Sequence, residues 1–179
     1  WSLTSLINFF NQYDAKIYKV ERINTHGGSI RAYIKKGKKI KIENSVRELI
    51  KVEEKFGIKK YQIYQEFAKK VYKIRNNIRK NILKLKSKSA KVIGYGSPAK
   101  ATTALNFFGI SNEIECIVED NKLKHGKFLP GMNIPIVSKS AIKEKPDYAL
   151  VLAWNFFDEI KKNNSDLAQK FISIKDLEI

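Results

Sequence analysis

Lys91-Val92-Ile93-Gly94-Tyr95-Gly96-Ser97-Pro98-Ala99-Lys100-Ala101-Thr102-Thr103 passes from an apolar run through two glycines into a serine, a proline and a run of small residues. The apolar run reads as a strand, and the residues after the glycines read as the start of a helix. Ser97 is expected to cap that helix through its side chain. Pro98 then takes the first helical position, where its missing N–H is not needed. Unpaired amides and the positive end of the helix dipole would face the glycine loop, a place that suits a phosphate. The spacing Gly94-x-Gly96-x-x-Ala99 fits the dinucleotide-binding turn with alanine in its third position; a plain tight turn is the alternative.

On the C-terminal side the pattern continues as strand and helix. A helix is expected over 98–108, stopped by Gly109, and a second strand over 114–119, closed by Glu119-Asp120. Asp120 then stands where such folds hold a ribose hydroxyl, with an ordinary turn aspartate as the alternative. The polar loop 121–133 contains Pro130-Gly131, which predicts a tight turn. A short extended run over 134–137 comes next, and Ser138 or Ser140 is expected to cap a short helix reaching Glu144. Residues 148–152 are the most apolar run and read as a central parallel strand. Trp154-Asn155 lead into a helix with Asp158 and Glu159 in its first turn, and 171–174 read as a last strand. The strand ends at Gly94, Val118 and Leu152 are expected to share one edge, where open α/β sheets bind ligands.

On the N-terminal side, Ile63, Phe67, Val71, Ile74, Ile78, Ile82 and Leu85 recur at spacings of four and three. They predict one helix with an apolar stripe roughly 45 Å long. Ser45-Val46-Arg47-Glu48 reads as a capping box opening an earlier helix, which Gly57 would stop. A short helix is expected over 2–13. Two strands over 16–24 and 29–34, around Thr25-His26-Gly27-Gly28, read as an antiparallel pair. So small a piece buries little alone and is expected to form the edge of a larger domain.

The chain has 179 residues, 43% hydrophobic, with a formal net charge of +17. That composition suits a folded globular protein. The balance of Lys/Arg over Asp/Glu is +6 in residues 1–58, +10 in 59–88 and +1 in 89–179. The excess therefore sits on the long helix, as a solvated face or, alternatively, a nucleic-acid surface, and the glycine-loop region is nearly neutral. No helix-turn-helix, zinc-knuckle or RNA-recognition pattern accompanies it, so nucleic acid is not the expected partner. No apolar run is long enough for a membrane span, and no signal pattern opens the chain. The lone Cys116 and the distant His26 and His125 make no metal or nucleophile cluster. A single cysteine in an apolar run suits a small core residue in a reducing, cytoplasmic compartment. The first residue is Trp1 and the only methionine is Met132, so a longer parent chain is expected.

Four motifs stand in order along the chain: Thr25-His26-Gly27-Gly28-Ser29-Ile30-Arg31, Gly94-Tyr95-Gly96-Ser97-Pro98-Ala99-Lys100, Asp120-Asn121-x-x-Lys124-His125-Gly126-Lys127-Phe128-Leu129-Pro130-Gly131, and Pro146-Asp147-Tyr148…Ala153-Trp154-Asn155. Together they resemble the C-terminal region of the sugar C-methyltransferases, across nearly the whole chain. The resemblance implies a parent enzyme that moves a methyl group from S-adenosylmethionine to a carbon of a nucleotide-linked keto-deoxysugar. It implies a zinc-binding N-terminal domain, a methyltransferase domain carrying the adenosylmethionine loop and a catalytic Tyr-x-Glu-His motif, and a Rossmann-like C-terminal domain. The first two would lie upstream of Trp1, so no cofactor or metal is expected on this chain.

On that reading residues 1–43 are the closing edge of the methyltransferase domain, 44–88 a helical connector and 89–179 the Rossmann-like domain. The expected fold is α/β, a parallel sheet with flanking helices. The sugar nucleotide is expected on Gly94, Tyr95, Gly96, Ser97, Pro98, Lys100, Thr103, Asp120, Lys124, Trp154 and Asn155, with the diphosphate at Ser97–Lys100. The residues leave other roles open: Lys100 as a surface ion pair, Trp154 as core, Asn155 as a helix cap, and Arg31 and His125 as structural. His26 is the one catalytic candidate, with an idle turn histidine as its alternative. The rival functions are an NAD-binding module of an oxidoreductase and a basic nucleic-acid-binding protein.

Overall fold

Helix α1 (Leu3–Asn11) starts on Ser2, whose hydroxyl accepts from the Ser5 amide at 3.0 Å while the Ser2 amide donates to Ser5 Oγ at 3.2 Å. The structure, a computed structural model, describes residues 1–25, 27–37 and 39–178. Strands β1 (Ala15–Ile23) and β2 (Ser29–Lys36) pair antiparallel as expected, with Val20 opposite Ala32. Helix α2 (Asn44–Phe56) covers the pair: Val46 and Leu49 pack with Leu3, Ile17 and Val20 in one buried cluster. The Glu53 carboxylate of α2 accepts from the Leu3 amide at 2.6 Å and the Thr4 amide at 2.8 Å, tying down two first-turn donors of α1.

The capping box expected from Ser45 to Glu48 does not form. The helix begins two residues earlier, at Asn44, and Glu43 at the cap position makes no side-chain capping bond. Residues 43 and 45 instead lie along the free edge of β1: the Glu43 amide donates to Tyr18 O at 2.8 Å, and the Val20 amide donates to Ser45 Oγ at 3.2 Å. An unpaired strand amide takes the hydroxyl that would otherwise cap the helix. His26 falls outside the described residues.

The chain divides into two compact units, Trp1–Phe67 and Ala68–Ile179. The first holds α1, β1, β2 and α2. Helix α3 (Tyr61–Lys86) is continuous across the division. Its stripe is fully buried only toward the C-terminal end, at Ile78 and Ile82, while Phe67 is exposed. The helices expected as a connector over 44–88 are thus distributed between the two units.

The second unit contains β3 (Val92–Tyr95), α4 (Ala99–Phe108), β4 (Ile117–Val118), β5 (Ile136–Val137), β6 (Tyr148–Val151), α5 (Phe157–Asn163) and β7 (Lys170–Ser173). All five strands are parallel, in the order β5-β4-β3-β6-β7. Alternate residues face opposite layers. Val92, Leu150 and Ile172 pack with Leu105 of α4 and Ile78 and Ile82 of α3. Ile93, Ala149, Val151 and Phe171 form the other core, with Phe157 and Ile160 of α5 against it. Both faces are covered, as a parallel sheet requires. The second strand is shorter than expected, since only Ile117 and Val118 pair. The helix expected up to Glu144 is a single 3-10 turn, Lys139–Ala141, because the Ser138 hydroxyl bonds Ser140 Oγ at 2.8 Å instead of capping. Among the described residues no helix is long and apolar enough to cross a membrane.

Candidate functional site

Strand order reverses between β3 and β6, so the connections leaving their carboxyl ends part to opposite faces and leave a crevice. The sequence keeps that crevice tight at its base. A Cβ on Gly94 would stand 3.0 Å from both Ile117 Cγ1 and Leu152 Cδ1. Gly96 has φ +82°, and a Cβ there would meet Ala153 Cβ at 3.1 Å, so the loop after β3 passes directly over the end of β6. Tyr95, between the two glycines, points to the α5 side, where its ring is buried.

Helix α4 does not begin as expected. Pro98 occupies the cap position, the helix starts at Ala99, and no side chain caps it. Ser97 is 9% exposed and faces the carboxylate of Glu119. Its amide donates to Glu119 Oε2 at 2.9 Å and its hydroxyl donates to the same oxygen at 2.5 Å. Lys124 Nζ donates to Glu119 Oε2 at 3.1 Å and to Ser97 O at 3.1 Å, and the Asn121 amide donates to Oε1 at 3.1 Å. An internal carboxylate therefore stands where the sequence suggested an external anion. Burial opposes its charge, but the bonds from the Ser97 hydroxyl, the Asn121 amide, Lys124 and the Ser97 amide outweigh that and hold its pKa at about 2.

Next to this corner is a cavity of about 560 Å³. The turn after β3 supplies Tyr95, Gly96, Ser97 and Pro98; the turn after β4 supplies Glu119, Asp120 and Lys124. Beyond β6, Ala153 and Phe156 line it, and α5 with its C-terminal end contributes Glu159, Ile160, Asn163 and Asn164. The Tyr95 hydroxyl donates to Asp120 Oδ1 at 2.9 Å and Oδ2 at 3.0 Å. Burial first, and then this carboxylate, push the phenol up to about 12, so it is a neutral donor at ordinary pH.

Of the residues expected at the site, Tyr95, Gly96, Ser97, Pro98, Asp120 and Lys124 come together on the cavity wall. Gly94 lies beneath it in the core. Lys100 and Trp154 meet each other, the ammonium 4.8 Å from the ring centroid, and Trp154 is half-buried against the α4-side core. Thr103 is exposed in the middle of α4, and Asn155 is exposed in a 3-10 turn; neither lines the cavity. His125 Nε2 lies 2.7 Å from Glu119 O and braces the loop, and Arg31 sits 3.7 Å from Glu21 on the hairpin. Sequence reading missed Glu119, whose only signal was its place in the Glu119-Asp120 doublet ending a strand. It also missed Asn163 and Asn164, which resemble any polar helix end.

Chemically the wall offers carboxylates, carboxamides and an aromatic edge, with its one lysine already engaged. Both oxygens of the strand-end glutamate are occupied by this chain's own donors, so Glu119 itself offers nothing to a ribose hydroxyl. Among the described residues no group of three His, Cys, Asp or Glu could hold a metal ion.

Residues 24–173 match the family described as the C-methyltransferase C-terminal domain. The C-methyltransferase NovU of Streptomyces niveus is 33% identical over 172 residues, which is 94% of this chain and 41% of that protein. The chain thus spans about two fifths of the length of this curated relative. With an all-parallel five-stranded sheet in the second unit and an antiparallel hairpin in the first, the chain belongs to the C-methyltransferase C-terminal domain family.

Proposed function

We propose that this chain is the nucleotide-sugar-binding part of a sugar C-methyltransferase and that the crevice at the carboxyl edge of its sheet receives the substrate. The observation that carries the reading is the placement of that cavity. It opens at the reversal of strand order, within the family-matched span, and is lined from three separate strand ends. In this reading S-adenosylmethionine supplies an electrophilic methyl group from protein outside this chain. A ketone on the sugar acidifies the neighbouring C–H, and the base that removes that proton also lies outside it. What these residues contribute is orientation: a sugar held by several directed hydrogen bonds presents one carbon and one face to the reacting partner.

Calorimetric titration of this chain with dTDP-glucose, NAD and a DNA duplex tests the reading. The sugar nucleotide is expected to bind and the other two are not. Preference for NAD would favour the oxidoreductase module, and duplex binding that falls steeply with salt would favour the nucleic-acid protein.

A further inference from the structure

The part of the ligand that enters the cavity can be argued from its charges. Glu119, Asp120 and Glu159 stand on the wall against one lysine, and Lys124 is already bound to Glu119 and Ser97 O. A diphosphate brought there would meet uncompensated carboxylates. It would also find the Ser97 amide, the donor best placed for it, turned onto Glu119. Ring hydroxyls present the opposite chemistry. Each can donate to a carboxylate or to a carboxamide oxygen, and a carboxylate oxygen takes more than one donor. Asp120 is exposed and, among the described residues, receives only the Tyr95 hydroxyl, so its acceptor capacity is largely open to the cavity. That hydroxyl also fixes the orientation of the carboxylate. Asn164, half-buried, lies on the same wall. Its NH2 already donates to Ile160 O at 3.1 Å and bonds the Tyr95 hydroxyl, so it is its carboxamide oxygen that is offered to a ligand. Phe156 and Ile160 add an apolar surface for ring C–H groups.

We propose that this cavity takes a hydroxyl-bearing ring of the ligand, its hexose or its pentose, on Asp120 and Asn164, and that Glu119 keeps the diphosphate out of the Ser97 corner. The proposal rests on the nucleotide-sugar reading and names which portion of that ligand the chain grips. Its diphosphate then lies outside the cavity, and Glu119 acts as a positioning residue that sets the direction in which the substrate enters.

The test compares the whole chain with its Asp120→Asn variant in calorimetric titrations against dTDP-glucose, dTDP and inorganic diphosphate. Asparagine keeps an oxygen for Tyr95, and the position is exposed, so the fold is retained. Loss of the charge-assisted bonds is expected to weaken dTDP-glucose binding by about tenfold. If dTDP is unaffected, the ring is the hexose; if dTDP weakens equally, it is the deoxyribose, through its 3′-hydroxyl. Either result supports the proposal. Tighter binding in Asp120→Asn would mean that a phosphate lies beside this carboxylate, and it would overturn the proposal while leaving the nucleotide-sugar reading intact. Unchanged dTDP-glucose affinity, or displacement of dTDP-glucose from the wild-type cavity by inorganic diphosphate, would do the same. Failure of dTDP-glucose to bind at all would overturn both. As a second variant, Glu119→Gln is expected to gain affinity for inorganic diphosphate several-fold; no gain contradicts the excluding role of Glu119.

Discussion

Replacing Glu119 by glutamine keeps the shape of the side chain and removes one formal charge. In the native chain Oε2 accepts from the Ser97 amide, the Ser97 hydroxyl and Lys124, and Oε1 accepts from the Asn121 amide. A glutamine must turn its NH2 toward one of these two sets of donors, so at least one bond becomes a donor–donor contact. The carboxylate is held at about 2 against an ordinary 4.5. Taken whole, a difference of that size corresponds to roughly 3 kcal/mol. The side chain is 12% exposed beside an open cavity, and water there screens part of the interaction. A working value is therefore about 2 kcal/mol, or a fall in Tm of roughly 5–10 °C.

The sign of the pH dependence comes from the depressed pKa. The stabilisation is complete above the ordinary value of 4.5 and is lost as the pH falls through about 2. Urea unfolding monitored by Trp154 fluorescence in a Trp1→Phe background reads the second unit directly. The wild type should exceed Glu119→Gln by its full margin at neutral pH, with the two curves converging in acid. Equal stability at neutral pH, or a margin that does not shrink in acid, would refute the assignment of Glu119 as the centre of this corner.

In the first unit, Glu53→Ala should cost about 1–2 kcal/mol, because it strips acceptors from the Leu3 and Thr4 amides, and loss of α1 helicity by circular dichroism is its readout. Gly96→Ala should destabilise the second unit by about 1–3 kcal/mol in urea, since it combines a φ of +82° with a contact 3.1 Å from Ala153 Cβ. For Tyr95, whose phenol stands at about 12, the tyrosinate difference spectrum between wild type and Tyr95→Phe should titrate near that value. Its raised pKa stabilises the fold fully below the ordinary value of 10, a contribution lost as the pH rises through about 12; titration at 10 would contradict the buried Tyr95–Asp120 pair.

Period and punctuation made the frame legible from the residues alone. Val92 to Tyr95 and Tyr148 to Val151 are apolar runs bounded by turn signals, and they are neighbouring parallel strands. Pro130-Gly131 does form the turn, with the Met132 amide donating to Leu129 O at 3.1 Å. Local preference failed where a distant partner competed for the same group. Ser97 has the chemistry of a cap, yet its hydroxyl bonds a carboxylate 22 residues away. Ser45 likewise answers an amide 25 residues earlier, on the open edge of β1. Lys100 and Trp154 each read as ligand contacts because a lone cation and a lone indole look unpartnered in a sequence. In the fold they are 4.8 Å apart. Asn163 and Asn164 carried no signal at all, since only the packing of α5 against the sheet brings a helix end to the cavity.

Ligand binding at the crevice where strand order reverses is tested most directly by amide chemical-shift mapping of the isotopically labelled chain during titration with dTDP-glucose. Shifts clustered at Gly96, Ser97, Asp120 and Asn164 are the expected result. Shifts centred instead on the separate hollow around Ser111, Phe128 and Asn133, or spread along the basic face of α3, would contradict it.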